Sequence, residues 1–244
     1  MTPGIFITGT NTGVGKTTVA AALLRWLGLR GVRAAGFKPV ASGATSTGPS
    51  GELRNADALE LQGASPVRLP YATVNPYCFE PPIAPHLAAR EAACPIELES
   101  LTRWYAGATT GLDVALIEGA GGWRVPMHPR GFLSDLPEAL GLPTLLVVGL
   151  TLGCLNHARL TAEAIDATGR SRRLGWIANA IDPDFERMPD NLATLEELLG
   201  APPLALVRYT SARSAFGTAR VEFEDESRLP RLLDGAGQQA NAAH

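Results

Sequence analysis

Residues 8–18 read Thr-Gly-Thr-Asn-Thr-Gly-Val-Gly-Lys-Thr-Thr, and residue types at that spacing suit one kind of chemistry. Glycines let backbone N–H groups converge on phosphate oxygens, and the start of a following helix adds its dipole. Lys16 is spaced to reach β- and γ-phosphates, and the Thr17 hydroxyl to ligate Mg²⁺. The apolar run Ile5-Phe6-Ile7 precedes the loop, and Val19, Leu23, Leu24, Trp26 and Leu27 follow at helical spacing. A phosphate-binding loop requires that order of strand, turn and helix. Gly-rich strand–helix turns are common in themselves, but Gly15-Lys16-Thr17-Thr18 in this frame implies nucleoside triphosphate binding.

The loop departs from the usual pattern in two places. The position five before Gly15 is Thr10, and glycine stands one residue earlier at Gly9, so the loop carries an extra residue. Partitioning-type ATPases place a second lysine at position 11, which reaches the partner's nucleotide across a dimer. Asn11 argues against that branch.

Further candidates fall just past apolar runs. Glu118 ends Asp113-Val-Ala-Leu-Ile and enters Gly119-Ala120-Gly121-Gly122. A carboxylate there in a P-loop protein binds Mg²⁺ or positions its water, and the glycines let backbone approach a phosphate. Lys38 lies in Gly36-Phe37-Lys38-Pro39-Val40-Ala41-Ser42-Gly43, and Asp57 in Arg54-Asn55-Ala56-Asp57-Ala58 where a helix begins. Spacing alone leaves both open: a strand-end lysine is ordinarily solvated, and an acid in a first helical turn is ordinarily there for the dipole. The proline-heavy stretch Asn75 to His86 has the length of a lid or pocket wall, although rigid packing also explains it. His86 has no partner at metal-ligand spacing and is expected to be a hydrogen-bonded structural residue. Gly153-Cys154-Leu155-Asn156-His157 opens a helix whose N–H groups suit a carboxylate. Cys154 as a nucleophile needs an activating base, and the sequence identifies none.

These residues need a frame, and the apolar runs supply it. Strands are expected at Ile5–Thr8, Ala34–Val40, Asp113–Glu118, Thr144–Val148, Leu174–Ala178 and near Leu204–Val207. Helices are expected at Lys16–Leu29, Asp57–Leu61, Ile83–Ala89, Leu98–Ala106, Leu133–Leu140, His157–Ala167 and Asn191–Leu199, with a loop at Ser42–Gly51. Continuous apolar strands alternating with helices predict an α/β, P-loop NTPase fold with a mostly parallel, doubly wound sheet. Ligands in such sheets sit at the carboxyl ends of the strands. One domain is expected over residues 1–234, with a frayed tail from Gly235 to His244.

Composition excludes little but is consistent. The chain has 244 residues, 18% of them charged and 45% hydrophobic, as expected of a globular enzyme. A net charge of −3 gives no case for nucleic-acid or anionic membrane binding. Cys78, Cys94 and Cys154 imply neither a disulfide framework nor a zinc site. The longest apolar run, Leu142–Leu152, is broken by Pro143 and Gly149 and is too short to span a bilayer. The chain enters a strand at once, leaving no room for a signal peptide, so a cytoplasmic enzyme is expected.

In order, the chain reads TGTNTGVGKTT, GFKPVASG, RNADALELQ, ATVNPYCFEPPIAPH, VALIEGAGGW, LGCLNHARLTAEAI and GWIAN. This resembles the dethiobiotin synthetases of biotin biosynthesis over residues 4–180, and GFKPVASG and LGCLNHARLTA are far more specific than the P-loop. The resemblance implies a homodimer with active sites at the subunit interface. It implies closure of 7,8-diaminononanoate with CO₂ and ATP to dethiobiotin, ADP and phosphate, through a carbamate and a carbamic–phosphoric anhydride. Gly13, Val14, Gly15, Lys16, Thr17 and Thr18 would wrap the triphosphate, and Thr17, Asp57 and Glu118 would hold Mg²⁺. Lys16 and Lys38 would neutralise charge on the transferring phosphoryl group. Thr12 and Ser42 would contact the diamine-carbamate end. Gly153, Cys154, Leu155 and Asn156 would bind the distal carboxylate from the partner subunit. Gly119, Ala120 and Gly121 would line the nucleotide region, and Asn179 would read the base.

The resemblance is incomplete. Thr151 stands where the family is often basic, and Ala180 where an acid is common. The Gly-x-x-Pro stretch that helps to hold base and ribose is replaced by Leu204-Ala205-Leu206-Val207-Arg208-Tyr209-Thr210. Two other readings are open to the residues. The P-loop domain of cobyric and cobyrinic acid amide synthetases would be expected to continue into a glutamine amidotransferase domain. A regulatory ATPase would be expected to carry the lysine absent at Asn11.

Overall fold

The computed structural model describes residues 2–46, 51–128, 131–211 and 223–242. Six strands form the main sheet: β1 (Gly4–Gly9), β2 (Ala34–Phe37), β3 (Val114–Glu118), β4 (Thr144–Leu150), β5 (Arg173–Ala180) and β6 (Ala205–Val207). Their spatial order is β6-β5-β4-β1-β3-β2, and every pairing is parallel. Around them run helices α1 (Lys16–Gly28), α2 (Ala56–Ala64), α3 (Tyr71–Val74), α4 (Pro85–Glu91), α5 (Leu98–Ala108), α6 (Asp135–Leu140), α7 (Cys154–Asp166), α8 (Met188–Leu199) and α9 (Arg231–Ala242).

The side-chain period of two divides the strands between two cores. Ile5, Ile7, Val114, Leu116, Leu145 and Val147 pack with α1 residues such as Val19 and Leu23, with Leu61 of α2 and with Leu232 of α9. Phe6, Ala115, Ile117, Leu146 and Val148 face the other way, onto Leu101 and Tyr105 of α5, Leu136 of α6, Ala158 and Ile165 of α7 and Leu195 of α8. A parallel sheet covered on both faces explains why these strands read as unbroken apolar runs. Every residue of β1, β3 and β4 is buried.

Differences from the expected elements have local causes. The strand expected over Ala34–Val40 leaves the sheet after Phe37, because Pro39 offers no N–H to a ladder. Val40–Ala41 then pairs in parallel with Tyr77–Cys78. The helix expected from Ile83 begins at Pro85, since the residue before a proline is steered away from helical backbone; Ala84 has φ −56° and ψ 137°. The expected Ser42–Gly51 loop contributes Thr45–Ser46 to an antiparallel pair with Leu53–Arg54, and residues 47–50 lie outside the described residues. Within the stretch 235–244 expected as a frayed tail, α9 extends to Ala242, with Ala236 buried; residues 243–244 lie outside the described residues. Among the described residues no helix is long and apolar enough to cross a membrane.

Candidate active site

Four chain crossings converge at the carboxyl ends of β1, β2, β3 and β5. From β1 the chain turns through Asn11–Gly15 into α1, whose first turn contains no acid to compete with an anion. Gly15 holds the turn at φ +84°, and a Cβ there would fall 2.1 Å from Asn179 Nδ2. Only glycine meets both conditions. Asn179, buried at the end of β5, donates from Nδ2 to the Val14 carbonyl at 2.8 Å and so fastens the loop from the side.

Lys38 follows β2 and is the electrostatic centre of the site. Its Nζ donates to Glu118 Oε1 at 2.6 Å and to the Gly119 carbonyl at 3.2 Å, and it lies 3.2 Å from Asp57 Oδ2. Thr17 Oγ1 donates to the same Glu118 Oε1 at 2.9 Å. Lys16 Nζ donates to the Asn11 carbonyl at 3.1 Å. Asp57 occupies the first turn of α2, where Asn55 caps the helix by accepting from the Asp57 and Ala58 N–H groups. Asp57 therefore starts a helix and at the same time faces the Lys38 ammonium.

Burial and mutual charge set the proton affinities. Burial, helped by the Lys38 charge, lowers the Lys16 pKa to about 8. Burial works against the Lys38 ammonium too, but Glu118 and then Asp57 outweigh it and raise its pKa. Burial is also the largest influence on Asp57, pushing its pKa up, yet the neighbouring lysines and Thr17 prevail and hold it below the usual range. Glu118 is raised, by burial first, with Lys38 opposing and the Asp57 charge assisting.

These groups face a cavity of about 990 Å³. Of the residues expected at the site, Thr12, Gly13, Gly15, Lys16, Thr17, Thr18, Lys38, Ser42, Asp57, Glu118, Ala120, Gly121 and Asn179 line it. Val14 is buried in the apolar core and Gly119 presents its carbonyl to Lys38; neither lines the cavity. Gly153, Cys154, Leu155 and Asn156 lie apart from it at the start of α7. There the Cys154 side chain is in the core, and its N–H is spent on the Thr151 carbonyl at 3.0 Å. The carboxylate-binding capacity expected of this turn therefore rests on its other amides. Pro82, Ile83, Ala84 and Pro85 do form a wall. His86 does not, and its buried Nδ1 has no hydrogen-bond partner among the described residues, unlike the hydrogen-bonded histidine expected.

Sequence reasoning missed Asn55 and Val125 in the lining, and Arg208 and Tyr209 after β6. Asn55 left a signal, since asparagine is a favoured N-cap before a helix that was already expected. Val125 left none.

The donor set fits Mg²⁺ bound with a nucleotide. Among the described residues no group of three or more His, Cys, Asp or Glu could hold a metal by itself. Mg²⁺ however takes one or two carboxylates alongside phosphates and water. Glu118 Oε2 is buried without a partner among the described residues, an acceptor left for such a ligand or its water.

A family model described as an AAA domain matches residues 3–214. The ATP-dependent dethiobiotin synthetase BioD of Pseudomonas paraeruginosa is 48% identical over 99% of this chain and 95% of that one. The BioD synthetase of Pseudomonas aeruginosa strain UCBPP-PA14 is 51% identical over 84% of this chain and 89% of that one. That of Xanthomonas euvesicatoria is 48% identical over 82% and 88%. The chain belongs to the dethiobiotin synthetase family.

Membership in the dethiobiotin synthetases makes the chain an ATP-dependent ligase and agrees with the convergence of P-loop, Lys38 and Glu118. The fold is shared more widely than that activity. The septum site-determining protein MinD of Pyrococcus horikoshii, solved with Mg-ADP, superposes with a TM-score of 0.56 at 18% identity, covering 100% of this chain and 98% of that one. A ParA family ATPase of Chlorobium tepidum gives 0.54 at 14%, covering 99% and 92%. Likeness at that identity concerns the fold alone. Asn11, where the partitioning branch carries lysine, lines the synthetase cavity.

Proposed function

We propose that the cavity closes 7,8-diaminononanoate and CO₂ into the cyclic urea of dethiobiotin at the expense of ATP. One amine adds CO₂ and releases a proton, giving a carbamate. A carbamate oxygen attacks the γ-phosphorus and the bond to ADP breaks. The second amine then attacks the carbamoyl carbon, phosphate leaves, and a proton passes to solvent.

The observation that carries this reading is the placement of Lys38, buried between Glu118 and Asp57 beside the P-loop lysine. Phosphoryl transfer asks the protein chiefly for fixed positive charge along the path of the phosphoryl group. Lys16 supplies it from the nucleotide side and Lys38 from the acceptor side, where Ser42, Thr12 and the Pro82–Pro85 wall leave room for an aliphatic diamine. Mg²⁺, held by Thr17, Asp57 and Glu118, would supply further charge neutralisation on the triphosphate. Asn179, whose Nδ2 is committed to Val14, keeps Oδ1 for an exocyclic amine of the base. Arg208 and Tyr209 take the place of the missing Gly-x-x-Pro segment at that end.

Two subunits complete the site in this reading. Leu152, just before α7, is 93% exposed, and Leu160, within it, is 57% exposed. Covering these leucines with a second copy brings the start of α7 to the partner's cavity as a carboxylate site. The reaction belongs in the cytoplasm, where its ATP is found.

The test supplies the purified chain with Mg-ATP, bicarbonate and 7,8-diaminononanoate and follows phosphate and dethiobiotin together. One phosphate per dethiobiotin is expected. Phosphate release that ignores the diamine, with no dethiobiotin formed, indicates a regulatory ATPase instead.

A further inference from the structure

Behind the cavity wall, Asn75 grips the backbone of the site. It is 3% exposed and lines no part of the cavity. Its Nδ2 donates to the Lys38 carbonyl at 2.6 Å and to the Tyr77 carbonyl at 3.0 Å. Its Oδ1 accepts from the Tyr71 hydroxyl at 2.9 Å. That hydroxyl accepts in turn from the Asn55 N–H at 2.7 Å. Asn55 then donates from Nδ2 to the Ser42 carbonyl at 3.2 Å while its Oδ1 accepts from the Asp57 N–H at 3.0 Å. One run of hydrogen bonds thus joins Lys38 and Ser42, of the stretch after β2, to Asp57 at the start of α2.

Lys38 depends on this run because it has left the sheet. β2 ends at Phe37, and Pro39 has no N–H to re-enter a ladder. Both backbone polar groups of Lys38 are instead held by one turn: its N–H donates to the Val74 carbonyl at 2.9 Å, and its carbonyl accepts from Asn75. Tyr71 and Asn75 are neighbours across α3, a helix too short to be stable by itself, so the turn and the site backbone fix each other.

We propose that Asn75 and Tyr71 are positioning residues for phosphoryl transfer, setting where Lys38 Nζ stands relative to the reacting groups. The inference rests on the reading of Lys38 given above. The Asn75 amide and the Tyr71 hydroxyl touch no substrate; they act through the Lys38 backbone, Asn75 directly and Tyr71 by holding the Asn75 amide. Neither holds a P-loop atom, so nucleotide affinity is governed elsewhere. Misplacement of a reacting group by about 1 Å can cost on the order of a hundredfold in rate.

The experiment compares Asn75→Ala and Tyr71→Phe, each in the wild-type and Lys38→Ala backgrounds. In the wild-type background kcat should fall roughly ten- to a hundredfold for Asn75→Ala, with the ATP KM within about threefold of normal. Tyr71→Phe, which keeps the ring, should lower kcat by a smaller factor in the same direction. In the Lys38→Ala background neither change should slow the enzyme further, because the group they position is gone. A merely structural role gives the same fractional loss in both backgrounds and overturns the proposal. So does unchanged kcat in both single variants. If Asn75→Ala lacks a cooperative melt, Tyr71→Phe decides by itself. Wild-type enzyme is assayed alongside: failure to make dethiobiotin refutes the functional reading, whereas active wild type with unaffected variants refutes only this inference.

Discussion

Replacing Lys38 by methionine removes the charge and keeps most of the stem. The ammonium now lies 2.6 Å from Glu118 Oε1 and 3.2 Å from Asp57 Oδ2. The Asp57 side chain is 44% exposed and rehydrates; that of Glu118 is 1% exposed and cannot. Removing one partner of a buried pair costs about 3–5 kcal/mol, and the remaining Thr17 bond to Glu118 places the cost near the lower end. In a chain of 244 residues each kcal/mol moves Tm by about 2–4 °C, so the variant should melt roughly 6–12 °C below wild type in metal-free buffer near pH 8. The sign of the pH dependence follows from Glu118, whose pKa burial already raises. Loss of Lys38 raises it further. An acid with a raised folded-state pKa destabilises above its unfolded pKa and not below it. The deficit should therefore shrink as the pH falls from 8 into the acid range, where Glu118 takes up a proton. Thermal melts in EDTA across that range measure it, with Lys38→Met/Glu118→Gln as the second arm. Neutralising Glu118 in the methionine background should restore most of the stability at the higher pH. An equal deficit across that range, or a double variant no more stable than the single, refutes the reasoning.

Three further outcomes follow from the same geometry. Because burial lowers the free-enzyme pKa of Lys16 to about 8 and a bound triphosphate raises it, nucleotide affinity should be level below that pH and fall above it. Calorimetry showing level affinity to about pH 9.5 would contradict the assignment of Lys16. Gly15→Ala meets both a positive φ of +84° and Asn179 Nδ2 at 2.1 Å, so it should abolish ATP binding in equilibrium dialysis; retained affinity excludes that clash as a determinant of the loop. If two copies pair over the start of α7 as proposed, Leu152→Glu, at a leucine 93% exposed, should shift sedimentation from dimer to monomer with loss of turnover. A variant that stays dimeric and active removes α7 from the interface.

The P-loop, Glu118 and the alternation of strands and helices were legible in the chain because each is local. Periodicity, glycine spacing and strand-end position are properties of neighbours in sequence. Lys38 and Asp57 were not legible in that way. Residue pattern left each open between an ordinary role and the site, and only the resemblance to the synthetases favoured the site. The structure decides their geometry by bringing the ends of β2 and β3 side by side and pointing the capped start of α2 at the gap. Asn75 lay in a stretch that read as a lid, a pocket wall or rigid packing, and its amide serves the backbone behind the wall. The exit of β2 after Phe37 was visible in hindsight from Pro39, but which turn caught the freed Lys38 was not. Sequence by itself determined the phosphate loop, the parallel sheet and the acid at its edge, since local pattern dictates each of them. The Lys38–Glu118–Asp57 cluster and the Asn75–Tyr71 support exist only in three dimensions, because hydrogen bonds between residues tens of positions apart depend on which strands the fold makes neighbours.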